Sequence, residues 1–386
     1  MADRLKVGIA GYGTIGALRH AACDRQKLFH VVAACDRNFT RRTTLSTGIP
    51  ALPSLEELFE LDLDVLFVCM PNDLASKATI SGLERGLHVF CEKPPGRTVA
   101  DILRVREVES RHPELKLQYG FNHRYHESVK AARELIETGS LGSIINLRGI
   151  YGKSAFIPWP RTQAGEGATR NVKYWRTSRA VAGGGILLDQ GIHMVDLMNL
   201  FVRERFTQIH AFVDNSYWNH DVEDNAYALM RSESGIVAML HSSATLWQHR
   251  FSLDISLTEG VIRLSGILSG TKSYGEEVLT VLHRQQETNG MPTEHTTRYV
   301  QDRSWDDEVQ AFARAILLDE PIQAGNSADA LASMETVHCI YESDPTWAER
   351  YGATDAAEKP GAVRPPRADP AHPRPRPPEI GWRKAL

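Results

Sequence analysis

The feature that most constrains this chain is a glycine run, Gly11-Tyr12-Gly13-Thr14-Ile15-Gly16, set between an apolar strand pattern (Lys6 to Ala10) and a helical one (Ile15 to Asp24). In that context the G-x-G-x-x-G spacing has a physical reading. Gly11 permits a tight turn, Gly13 lets the backbone approach a pyrophosphate, and Gly16 lets the helix pack close on the strand. The helix start adds unpaired N–H groups and the positive end of its dipole. Tyr12, Thr14 and Ile15 line the same turn. A second apolar run, Phe29 to Cys35, leads into Asp36, where a carboxylate accepts from both ribose hydroxyls of NAD. Asp36 repels a 2′-phosphate, whereas Arg37, Arg41 and Arg42 just downstream are residues of the kind that hold one. NAD is therefore the expected cofactor, with NADP the alternative.

Strand and helix patterns keep alternating through the first third. Val65 to Cys69, His88 to Cys91 and Leu117 to Gly120 are apolar runs, and helical patterns cover Leu55 to Phe59, Leu74 to Arg85 and Thr98 to Arg111. Ser54 and Glu57 read as a capping box, and Gly86 as a helix stop. Strands buried on both faces and alternating with helices imply a parallel sheet with right-handed crossovers. The pattern changes near residue 122. A helix from Glu127 to Glu137 precedes β-patterned runs at Ile144 to Tyr151, Gln208 to Val213, Ala226 to Arg231, Ile236 to Ser243, Arg250 to Leu257, Val261 to Ser265 and Val278 to His283. One helix, Asp189 to Phe201, interrupts them, and two more, Trp305 to Leu318 and Ala328 to Tyr341, follow. So few helices predict an α+β domain with a large, mainly antiparallel open sheet. The division is 1–122 for the nucleotide-binding α/β domain, 123–350 for the α+β domain and 351–386 for a tail. Eight of the 19 prolines lie between Lys359 and Leu386, which excludes regular sheet or helix there. The tail is expected to be extended, with Ile380 and Trp382 as anchors should it wrap a neighbouring subunit.

Composition narrows the function classes. A net charge of -4 gives no global basic field for nucleic acid. The longest apolar run, Val65 to Met70, is far below a bilayer span, and no signal-peptide core follows the N-terminus. The five cysteines form no C-x-x-C pair and read as reduced, buried thiols. A cytoplasmic protein without membrane or nucleic-acid partners is the expectation.

Two further motifs carry chemistry. Cys91-Glu92-Lys93-Pro94-Pro95 follows a strand, so Lys93 falls beyond a carboxyl end, at the mouth of the cofactor cleft. Gly183-Gly184-Gly185 leads into a helix on which Asp189 and His193 stand four residues apart, on one side, with Asp196 three residues on. Oxidising a secondary alcohol needs a base for the hydroxyl proton, and an imidazole titrates near the operating pH. His193 is the expected acid/base, Asp189 the group that orients it and binds a substrate hydroxyl, and Lys93 the group that polarises the reacting oxygen. His123-x-x-His126-Glu127 lacks the H-E-x-x-H spacing, so no metal is expected.

These motifs together resemble the Gfo/Idh/MocA (glucose–fructose oxidoreductase, inositol dehydrogenase) family over roughly residues 5 to 345. The likeness rests on the glycine run, Met70-Pro71-Asn72, the segment from Gly86 through Glu92-Lys93-Pro94, and the segment from Gly183 to Asp196. Ala75 departs from it, since the family usually carries histidine there, and the proline-rich tail lies outside the pattern. The resemblance implies a Rossmann domain followed by the open-sheet domain, with Lys93, Asp189 and His193 as a catalytic triad across the cleft. It also puts Met70, Pro71, Asn72, Glu92 and Asn122 around the cofactor. Arg124, in Phe121-Asn122-His123-Arg124, and Trp175-Arg176 are the expected substrate contacts, because arginine and tryptophan suit a polyhydroxylated or anionic ligand.

The expected activity is NAD(P)-dependent hydride transfer at a ring secondary alcohol of a sugar or nucleotide sugar, as the likeness to nucleotide-sugar enzymes implies. A cyclitol dehydrogenase, an enzyme that recycles NAD during elimination or glycoside cleavage, and a sugar-sensing regulator on the same fold are the alternatives. The exposed face of the open sheet is expected to form a homodimer or homotetramer.

Overall fold

A computed structural model describes residues 4–154, 175–270, 272–284 and 292–351. The first domain runs β1 (Leu5–Ala10), α1 (Thr14–Arg25), β2 (Phe29–Cys35), β3 (Thr43–Thr44), β4 (Pro50–Leu52), α2 (Leu55–Phe59), β5 (Val65–Val68), α3 (Asn72–Leu83), β6 (His88–Glu92), α4 (Val99–Glu109) and β7 (Leu117–Gly120). Its seven-stranded sheet has the order β3-β4-β2-β1-β5-β6-β7. The order reverses at β1, where β2 and β5 flank it in parallel, so a crevice opens beyond the carboxyl ends of β1 and β5. The apolar runs became strands because they are buried on both faces: Val65, Leu66, Phe67 and Val68 have no exposed surface. Ser54 accepts from the Glu57 N–H at 3.2 Å, but the return bond of a capping box is not made. The Glu57 carboxylate bonds Arg42 instead. The full box forms at α4, between Thr98 and Asp101.

The second domain contains α5 (Glu127–Glu137), β8 (Ile144–Gly152), α6 (Arg179–Ala182), α7 (Ile192–Val202), β9 (Phe206–Asp214), β10 (Asn225–Ser232), β11 (Val237–Ser243), β12 (Arg250–Leu257), β13 (Gly260–Ser265), β14 (Glu277–His283), β15 (Thr293–Tyr299), α8 (Ser304–Leu317), α9 (Ser327–Ser343) and α10 (Pro345–Tyr351). The eight strands are ordered β15-β14-β13-β12-β8-β11-β10-β9, antiparallel except for the β8–β11 pair. Helices cover one face. On α7, Met194 and Met198 press against β8 at Gly149, where an added Cβ would lie 2.6 Å from the Met198 side chain. That close approach seats α7 on the middle of the sheet. On the other face Phe212, Tyr227 and Leu229 stay exposed.

Three features differ from the sequence expectation. The helix expected from Asp189 is a wide π turn, Leu187–Gly191, that runs into α7. Strand β15 went unread because TEHTTRY has no apolar alternation; it is an exposed edge held by backbone pairing to β14. Helix α8, assigned by position to the second domain, packs on the first. Its Phe312 meets the stacked rings of Phe67 and Phe90 edge-on, at 6.0 and 5.5 Å between centroids. No helix among the described residues is long and apolar enough to cross a membrane. The tail reading lies outside the described residues.

Candidate active site

The nucleotide end of the crevice fits a dinucleotide. Gly11 has φ +90°, and a Cβ there would lie 2.5 Å from the Cys69 carbonyl, so only glycine makes this turn. No atom lies within 4 Å of a Cβ built on Gly13, which leaves its backbone open to a phosphate. No side chain caps α1, so its first N–H groups point into that space. Asp36 stands at the end of β2, fixed by the Tyr12 N–H at 2.8 Å and the Asn38 N–H at 2.9 Å. Arg37 is exposed beside it. Met70 and Pro71 line the β5 end of the crevice half-buried, and Asn72 is turned across it, donating from Nδ2 to the Ala182 carbonyl at 2.7 Å.

Lys93 is where the two domains meet. Its Nζ donates to the Asp189 carbonyl at 2.5 Å, so the lysine from the strand end and the π turn before α7 share one site. Burial pushes the Lys93 ammonium down from its ordinary value, although Asp189 opposes this. The Asp189 carboxylate takes Lys153 on Oδ2 and Arg176 on Oδ1, each at 3.1 Å. Burial works against that charge, but Lys153, Lys93 and Arg176 hold Asp189 far below the usual carboxylate range. The Arg176 guanidinium lies over the Trp175 ring, 4.3 Å from its centroid.

His193 is 5% exposed and makes no hydrogen bond to any described residue; its Nδ1 is buried without a partner. An orphaned buried nitrogen is costly, so a partner for the ring is missing among the described residues. Burial, with the nearby Lys93 charge, holds the ring well below its ordinary 6.5, so it is neutral and able to accept a proton. The expected Asp189–His193 contact is absent. Bonding from i to i+5 in the π turn widens that turn and rotates the aspartate toward Lys153 and Arg176. Arg124 also has a different setting. It is buried, holds Asp196 with both Nε and Nη2 at 2.8 and 2.7 Å, and reaches Asp329 at 2.8 Å. These pairings tie α7 to α9 and engage the guanidinium that the sequence assigned to substrate. Glu92 likewise faces inward, accepting from Arg19 Nε at 2.6 Å, and Asn122 Nδ2 donates to Ser304 Oγ at 3.1 Å. His126 pairs with Glu277 at 2.7 Å in a buried contact, and no group of three or more His, Cys, Asp or Glu that could hold a metal ion occurs among the described residues.

Residues 5–121 match the family described as an oxidoreductase family with an NAD-binding Rossmann fold, and residues 129–263 match the GFO/IDH/MocA C-terminal domain. This chain belongs to the Gfo/Idh/MocA oxidoreductase family. A 1,5-anhydro-D-fructose reductase of Ensifer adhaerens is 27% identical over 256 residues, which are 65% of this chain and 71% of that protein. An inositol 2-dehydrogenase of Leifsonia xyli is 23% identical over 354 residues, 88% of this chain and 94% of that one. Levoglucosan dehydrogenase in complex with NADH has the same fold, with a TM-score of 0.73 at 19% identity over 89% of this chain and 98% of that one.

Several residues of this Gfo/Idh/MocA site carried no sequence signal. Lys153 simply follows β8. Glu223 is buried and accepts from the N–H groups of Gly185 at 2.6 Å and Leu187 at 2.9 Å and from Tyr341 Oη at 2.7 Å, which shapes the turn that presents Asp189. Arg19 sits on the cofactor helix, sealed between Glu92 and Glu308.

Proposed function

We propose that this oxidoreductase is an NAD-dependent dehydrogenase that moves a hydride between nicotinamide and a ring secondary alcohol of a sugar or nucleotide sugar. The observation that carries the reading is the Lys93–Asp189 contact across the cleft, beside a neutral and unpartnered His193. The glycine run, the uncapped start of α1 and Asp36 would hold the dinucleotide, which supplies a hydride acceptor when bound. His193 takes the hydroxyl proton of the alcohol. Lys93, positive and partly desolvated, donates to the same oxygen as negative charge builds there. Asp189, held anionic by its cations, accepts from a neighbouring hydroxyl and so orients the ring. Trp175 offers an apolar face to a sugar, and Arg176 steers Asp189. NAD is favoured over NADP because Arg42 is engaged with Glu57 and Glu60 instead of the ribose end. A cyclitol is the second reading, favoured by the likeness to an inositol 2-dehydrogenase along nearly the whole chain.

The test is a screen of NAD and NADP reduction over free sugars, cyclitols and nucleotide sugars, followed by His193→Ala. Loss of about 10²-fold or more in turnover with cofactor binding intact is expected. Turnover within a few fold of wild type would refute the assignment. The exposed Phe212, Tyr227 and Leu229 face is proposed to close a homodimer or homotetramer, and a monomer by light scattering at micromolar concentration would refute that.

A further inference from the structure

The acid–base reading leaves one neighbour of His193 without a role. His123 lies flat against it, with ring centroids 3.9 Å apart and planes within 17°. Phe121 meets the edge of His193 at 6.3 Å, and Phe251 backs His123 at 5.9 Å.

The hydrogen bonds around His123 run in one direction. A carboxylate only accepts, so Ser304 Oγ donates to Asp302 at 2.7 Å. Ser304 Oγ therefore accepts from Asn122 Nδ2 at 3.1 Å, which fixes the orientation of that amide. Asn122 Oδ1 is then the acceptor for His123 Nδ1–H at 3.2 Å. The other nitrogen, Nε2, takes the phenol proton of Tyr151 at 3.1 Å. Followed from Asp302, the chain puts a proton on Nδ1, and burial, which holds the ring well below its ordinary value, leaves Nε2 bare to accept from Tyr151.

We propose that His123 is a positioning residue: a ring locked in its neutral Nδ1–H form that holds the plane of His193 and turns an aromatic face to the imidazolium formed when His193 takes the substrate's hydroxyl proton. The inference rests on the reading of His193 as the acid/base. In the step itself the O–H bond breaks, the proton moves to His193, and His123 neither gains nor loses one. A cation over an aromatic face is favoured over a cation against a second charged ring. The ionisable groups facing the pair are Lys93 from the turn after β6, Arg19 from α1, His126 before α5 with its partner Glu277 on β14, and Tyr151 from β8. Asp189 precedes His193 on its own element, and Asp196, beyond it, is tied up with Arg124 and, through Arg124, with Asp329 of α9.

The experiment uses full-length, NAD-loaded protein with ¹⁵N-labelled histidine, and follows long-range ¹H–¹⁵N spectra from pH 5 to 8.5. His123 is expected as the Nδ1–H tautomer throughout. His123→Phe keeps a flat ring without the hydrogen bonds; His123→Gln keeps hydrogen bonds without the ring; His123→Ala keeps neither. The His193 titration should stay in place in the Phe variant. It should fall further below the ordinary histidine value in the Ala and Gln variants, where the imidazolium loses its aromatic face. On a polyol that reduces NAD in the screen, kcat should fall about tenfold or more in the Gln and Ala variants with KM little changed, and stay within about threefold in the Phe variant. An Nε2–H or protonated His123, or a His193 titration that stays put or rises when the ring is removed, would overturn the proposal. The tautomer and titration readouts need no substrate, so a silent sugar screen defeats the dehydrogenase reading alone. Should the Ala variant fail to fold, the Phe and Gln variants carry the comparison.

Discussion

Two charge clusters lie either side of the Glu92–Lys93 peptide, and they are opposites. Behind it, Arg19 holds Glu92 at 2.6 Å and Glu308 at 2.7 Å, two carboxylates to one cation, with Arg19 and Glu308 fully buried. Phe90 and Trp305 sandwich the guanidinium at 4.4 and 4.3 Å. In front, Lys93, Lys153 and Arg176 gather around Asp189, three cations to one carboxylate, with Asp189 18% and Arg176 28% exposed. The sealed cluster ties Glu92 at the end of β6 to Arg19 of the cofactor helix and Glu308 of α8, so it fixes where β6 ends relative to that helix. The open cluster has side chains that reach solvent and can exchange partners when a polyol arrives. Adjacent residues of one motif thus divide the labour of holding and reacting.

The largest effect should come from breaking the sealed cluster. Arg19→Met leaves the Glu92 carboxylate without its counter-charge and Glu308 without its cation in a buried setting, and a loss of about 3–5 kcal/mol in urea unfolding is expected. A loss below about 1 kcal/mol would mean that the cluster is not the brace described. Next comes the open cluster. Lys93→Met should cut turnover by about 10²-fold or more while thermal unfolding moves little, because Lys93 supports the reacting oxygen and not the core. An equal loss of stability in both variants would erase the distinction between the clusters.

Acidity sharpens the contrast further. Burial pushes Glu308 up to about 8 from 4.5, against the pull of Arg19. Between those values the folded state binds a proton that the unfolded state releases. The stability this group contributes is full below about pH 4.5 and lost as pH rises through about 8. Glu308→Gln should therefore gain on wild type in melting temperature from pH 5 to 8.5, and parallel curves would count against a buried, protonated Glu308. His193 acts in the other direction. Held well below 6.5, it loses a proton early, so kcat/KM for oxidation should be flat through neutrality and fall only at distinctly lower pH. The smallest expected effect is at a surface feature common to neither cluster: Thr98→Ala removes one half of the α4 capping box and should cost about 1 kcal/mol.

The nucleotide half was legible because its rules are local. The glycine spacing, the two-sided apolar strands and Asp36 each state their own geometry, and Phe29–Cys35 and Leu117–Gly120 fold to the residues read. The site was legible in membership but not in wiring. Lys93, Asp189 and His193 come together, yet helical spacing misdirected Asp189 because nothing in LLDQG announces a π turn. Arg124 looked like a ligand group because its two acidic partners lie 72 and 205 residues away in sequence. Lys153, Glu223 and Arg19 act through such long-range pairings, which no pattern along the chain records. His123 was weighed as a metal ligand, although its neighbour proved to be another imidazole.

The seating of α8 has a consequence for the newborn polypeptide. Phe67 and Phe90 leave the ribosome long before Phe312, so an aromatic surface stays bare while more than two hundred further residues are translated. Until α8 arrives, the amino-terminal half is an unfinished object, and excising it at residue 122 would yield a sticky fragment in place of an autonomous module.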